Sequence, residues 1–160
     1  MAWSDSHTFQ RYWVNMIGNV LALDYDADTI KAALYNNTTT PDNDVTTDVL
    51  TGYNGAASQW VTANEVIDST GGGTDWPAGG VALASKTVDE ATTDTVFIDA
   101  ADTASGATAD IAGAFGCLVY DDTLANKPGI CYNYFGGSNS VTNGTFTIVW
   151  HANGIFRMTV

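Results

Sequence analysis

Apolar positions near the start of the chain fall at helical spacing. Between residues 4 and 17, Phe9, Trp13, Met16 and Ile17 share one stripe, Ser4 or Asp5 stands where an N-cap belongs, and Gly18 can end the helix. The pattern predicts one amphipathic helix over 4–17, with an aromatic face that must be buried on its own domain or on a partner subunit. From Asn19 onward the period changes to two, broken by turn residues, as in a sandwich or barrel. Residues 20–24 and 29–35 read as the first pair of strands. In the second of these, Ile30, Ala32 and Leu34 share one face, and Lys31, Ala33 and Tyr35 the other.

The middle of the chain is less regular. Residues 36–48 form a polar loop, and 53–62 carry Trp60 without a clear period. Residues 64–68 read as a strand, followed by a Gly-rich connection through Trp76 and Pro77 with no helix-opening phosphate motif behind it. Alternation returns over 81–88 and 95–99, and residues 99–114, mostly small, read as a long surface loop with an edge strand. The last third predicts a four-stranded antiparallel meander over 115–120, 130–135, 145–150 and 155–160. Phe146, Ile148 and Trp150 share one face of their strand, and Phe156, Met158 and Val160 share one face of the next. Arg157 points outward, and Asn153-Gly154 is a strong hairpin signal between the two strands. The expected fold is all-β: an antiparallel β-sandwich or barrel-like domain over 19–160, behind a short N-terminal helical arm over 1–18.

Composition sharpens this picture. The 160 residues fit one domain, and five Trp, seven Tyr and six Phe can fill its core. Only 14% of residues are charged, so Thr, Asn, Ser and Gly supply most of the polar surface, a bias toward strands and turns. Eighteen acids against five Lys and Arg leave a net charge of -13, which repels DNA and anionic membranes alike. The start, Met-Ala-Trp-Ser-Asp, has no basic n-region before an apolar one, so synthesis in a cytosol is expected. There, Cys117 and Cys131 are expected as buried free thiols on neighbouring strands, and the sequons at Asn36, Asn37 and Asn143 as polar turns.

Candidate chemistry is sparse. Asp24-x-Asp26-x-Asp28 opens like a calcium loop, but Thr29 stands where the loop needs Gly and Tyr35 where it needs a bidentate Glu, so an acidic turn is expected instead. His7 and His151 are isolated in sequence from metal-ligand partners. No G-x-S-x-G elbow is present, and neither Cys carries a local nucleophile signature. Trp3, Trp60 and Trp76, outside the clear strands, would serve a carbohydrate-binding module if they stacked on sugars at the surface; otherwise they close the core or sit in an interface.

Several short motifs resemble those of small β-rich virion proteins of tailed bacteriophages. The matching pieces are Asp28-Thr29-Ile30-Lys31-Ala32-Ala33-Leu34-Tyr35, then Asn64-Glu65-Val66, then Pro77-Ala78-Gly79-Gly80-Val81-Ala82-Leu83, and Val119-Tyr120-Asp121-Asp122. At the end, Phe135-Gly136-Gly137, Asn143-Gly144-Thr145-Phe146-Thr147-Ile148-Val149-Trp150 and Asn153-Gly154-Ile155 also fit, so the resemblance runs from about Asp24 to the C-terminus. The Trp-rich start and the insert over 45–63 depart from it. The resemblance implies a non-enzymatic structural protein without a cofactor. The first expectation is a capsid decoration, or cement, protein on the outside of the head. It would bind the major capsid protein as a homo-oligomer, a trimer at local threefold sites. A minor tail protein and a carbohydrate-binding adhesion module are the alternatives. Trp3, Phe9, Tyr12 and Trp13 of the helical arm are the expected capsid contacts.

Overall fold

The computed structural model describes residues 3–43, 52–55, 57–70, 73–92 and 94–159. Its elements are β1 (His7–Thr8), α1 (Gln10–Ile17), β2 (Ile30–Tyr35), β3 (Glu65–Val66), β4 (Val81–Ala82), β5 (Thr87–Thr92), β6 (Thr95–Asp99) and β7 (Thr103–Ala104). β8 (Ala109–Asp121), β9 (Gly129–Gly144), β10 (Thr147–Ile148) and β11 (Phe156–Thr159) follow. The fold is all-β, and every strand pairing is antiparallel. The main sheet runs β1-β9-β8-β2-β3, with β4 also on β2; β10-β7 and β11-β6-β5 form two smaller sheets.

β2 and β8 are the spine, aligned from Ile30 opposite Asp121 to Tyr35 opposite Gly116. Both faces of β2 are covered, so Ile30, Ala32, Ala33, Leu34 and Tyr35 are all buried and the expected two-face alternation becomes a continuous apolar run. The Lys31 ammonium lies 2.7 Å from the Asp122 carboxylate, which also pairs with Lys127 at 2.7 Å.

Several expectations are corrected. The helix begins at Gln10, not near Ser4: Phe9 is its N-cap, without a side-chain cap hydrogen bond, and His7–Thr8 instead pairs with Tyr132 and Cys131. The free edge of β9 offers these residues backbone partners that a short exposed first turn lacks. Tyr12 and Asn15 therefore face inward, while Met16 and Ile17 stand outside. The arm is part of the domain, since Trp3 and Phe9 belong to its core.

Residues 20–24 form no strand. The Asp28 N–H donates to the Asp24 carbonyl, the Asp24 N–H to the Asp28 carboxylate and the Ala27 N–H to the Asp24 carboxylate, so short acidic side chains close a turn. The stretch expected as one strand over 81–88 is split between β4 and β5.

Of the three pairings in the expected meander, one forms. β8 pairs with β9, but β10 leaves to pair with β7 and β11 with β6. The Asn153-Gly154 turn forms, with the Gly154 N–H donating to the His151 carbonyl, yet it joins two strands with different partners. β9 also runs through Gly136-Gly137 rather than stopping there. The β8–β9 register shifts repeatedly, and Gly136 sits at φ 81°, the left-handed conformation that lets a long strand absorb extra residues. Phe146 and Ile148 are buried and Arg157 is exposed, as the alternation predicts; Val160 lies outside the described residues.

Candidate interaction surface

The aromatic arm is seated in the core. Trp60, fully buried, is its hub: its ring lies 5.7 Å from Trp3, 6.0 Å from Phe9, 5.0 Å from Tyr35 and 5.8 Å from Tyr132, mostly edge to face. The Trp3 indole N–H donates to the Asn36 carbonyl at 3.0 Å. Gly116 is what lets Trp3 in, because a Cβ there would lie 2.3 Å from the indole ring.

Of the four expected capsid contacts, Trp3, Phe9 and Tyr12 are therefore turned inward, at 0%, 0% and 5% exposure. Trp13 is half-buried, stacked edge-on against Phe156 at 5.2 Å, with its indole N–H donating to the Thr8 hydroxyl. Burial within the chain takes the Trp3, Phe9 and Tyr12 rings out of reach of a partner, whereas Trp13 keeps part of its surface outside.

What the arm leaves outside was not anticipated. Val14, Met16, Ile17 and Val20 are exposed, Ile17 at 83%. The Val20 N–H donates to the Asn15 carbonyl and the Gly18 N–H to the Val14 carbonyl, closing the helix end with Val20 exposed just beyond it. The exposure of Val14 and Ile17 corrects the place of Ile17 on the buried stripe with Phe9 and Trp13.

The remaining candidates are quiet. Trp60 and Trp76 are both fully buried, so neither ring can stack on a sugar, and Trp76 packs edge-on against Phe146 at 5.8 Å. His7 lies 3.1 Å from the Asp5 carboxylate on the surface, and His151 accepts the Asn153 N–H within its turn. Cys117 and Cys131 are buried and free, and burial raises both thiols, Cys131 to about 12, so neither is a thiolate at neutral pH. Among the described residues no group of three metal-ligating side chains converges.

Two polar clusters are structural ties. Asp68, buried, accepts the N–H groups of Thr70, Asp75 and Asp110, led by that of Asp110, and is held down to about 2. Glu65 accepts the Gly79 N–H at 2.6 Å and the Tyr53 hydroxyl at 2.8 Å, while the Tyr120 hydroxyl donates to the Gly79 carbonyl. Burial raises Glu65 above the usual carboxylate range against these two donors. A cleft of about 370 Å³ between β9 and β10 is walled by Tyr134, Phe135 and Phe146, without an ionisable group besides the Tyr134 phenol. No family model, curated protein or solved structure matches the chain.

Proposed function

We propose that the chain is a non-enzymatic structural protein of a tailed-bacteriophage particle, a decoration protein that binds the outer surface of the head lattice and stabilises it. Its partner is the major capsid protein. It is made in the host cytoplasm and acts as an oligomer, a trimer at local threefold sites. The motifs running from Asp28 to Ile155 support the family, and the exposed face Val14, Ile17 and Val20 carries the docking.

An apolar face standing out of a rigid, self-packed arm suits a lattice ligand. Its backbone is already ordered by α1 and the turn behind it, so little entropy is lost on binding. Its side chains are aliphatic and gain mainly by leaving water, at about 25 cal/mol per Å² of apolar area covered. The net charge of -13 keeps the free protein off packaged DNA and other polyanions until shape and apolar contact bring it to the shell. Repetition over a lattice then multiplies a weak contact into stable occupancy.

Ile17→Asp tests this at one atom group. With Ile17 83% exposed, the change is expected to leave the thermal midpoint within a few degrees and to weaken co-sedimentation with undecorated heads at least tenfold. Unchanged binding by a folded Ile17→Asp protein would remove this face from the account.

A further inference from the structure

Asp121 ends the β2–β8 ladder opposite Ile30 and is fully buried. Its Oδ1 accepts the N–H groups of Thr123 at 2.7 Å and Leu124 at 3.2 Å, which fixes the turn after β8. Among the described residues its Oδ2 has no donor. Asp28 stands two residues before Ile30, the ladder partner of Asp121, where the Asp122 N–H bond to the Thr29 carbonyl holds the two strands together, and its carboxyl is the acidic group that bears on Asp121. Two carboxylates cannot donate to each other, so a buried acceptor aimed at another acceptor needs a proton between them.

We propose that Asp121 holds a proton and donates it toward the Asp28 carboxylate as an acid-stabilised latch, joining the 24–29 turn to the end of β8 and loosening when that proton leaves. The latch closes a junction with backbone ties of its own: the Asp122 N–H donates to the Thr29 carbonyl at 2.8 Å and the Thr29 N–H to the Thr123 hydroxyl at 2.7 Å.

The charges around it do not supply the missing donor. From the connection before β5, the Lys86 ammonium is engaged by the Asp28 carbonyl at 2.7 Å. Lys31 on β2 and Lys127 before β9 are both on Asp122. Within the turn, the Asp24 N–H is given to Oδ2 of the Asp28 carboxylate, and Asp24 and Asp26 add only negative charge. Burial, and then the facing Asp28, raise Asp121 to about 6 against the pull of the Leu124 and Thr123 N–H groups. A raised folded-state value means that the stabilisation is complete below the unfolded carboxyl range, about 4, and is lost as pH rises through about 6.

Thermal and urea unfolding of the wild type, Asp121→Asn and Asp28→Asn from pH 4.5 to 8 test the latch, with EDTA or calcium chloride added at pH 8. An amide supplies the N–H that the proton otherwise provides. Each variant is expected to gain on the wild type as pH rises, the ratio of unfolding constants changing by roughly tenfold or more across the interval. Calcium is expected to move no midpoint. If Asp121→Asn fails to fold, the Asp28→Asn series carries the same comparison. Differences that stay flat with pH in the folded variants overturn the latch. So does a calcium-dependent rise in the wild type that both variants lose, since that assigns the pair to a metal.

Discussion

A chain that begins at Gly18 is expected not to fold. It lacks Trp3, Phe9 and Tyr12, all in the core, together with β1, which pairs with β9 at Cys131 and Tyr132. Full burial of a large apolar side chain stabilises by about 1.5–3 kcal/mol, so the three together contribute about 5–9 kcal/mol. That is comparable with the whole stability of an ordinary domain, about 5–15 kcal/mol. The loss also opens the space over Gly116 and uncovers Trp60 and Tyr132, against which the arm packs. Far-ultraviolet circular dichroism and dye binding on the shortened chain check this. A cooperative transition within a few degrees of that of the full chain would show that the arm is dispensable to the core.

Trp60→Ala is expected to be the most damaging single substitution. The ring contacts Trp3, Phe9, Tyr35 and Tyr132, which come from the arm, β2 and β9, so its removal leaves a cavity shared by three parts of the fold. Large-to-small changes at such aromatic sites cost about 3–5 kcal/mol. At the few degrees per kcal/mol typical of this chain length, the thermal midpoint is expected to fall by roughly 10 °C. The Tyr35 hydroxyl keeps its acceptor, because that acceptor is the backbone carbonyl of residue 60. Trp60→Phe, which retains part of the contact, is expected to fall between. A Trp60→Ala protein as stable as the wild type would place the ring outside the core and return it to the candidates for ligand stacking.

The class of fold was legible because strand period survives wherever one face is wet. Residues 95–99 and 145–150 alternate as half-buried strands do, and the structure places β6 and β10 there. Pairing was not legible. β10 and β11 flank a strong hairpin turn, yet their partners are β7 and β6, chosen by contacts distant in sequence that local periodicity does not encode. The length of β8 and β9 was hidden for a related reason. Gly113, Gly136 and Gly137 signal chain breaks in isolation, but within a bulged ladder they permit a strand to continue.

The arm shows the limit for function. Aromatic residues at helical spacing demand burial, and both an internal core and a partner's surface satisfy that demand equally in the sequence. Only the position of Trp60, in a stretch without clear period, supplies the internal seat. Once Phe9 and Tyr12 are seated, the opposite face is determined, and Val14, Ile17 and Val20 come out.

Cryo-electron microscopy of particles carrying this protein tests the central claim most directly. Ordered copies on the outside of the head, with Val14, Ile17 and Val20 against the major capsid protein, are the predicted result. Bare heads with the protein on the tail, or particles that lack it altogether, would contradict a decoration role.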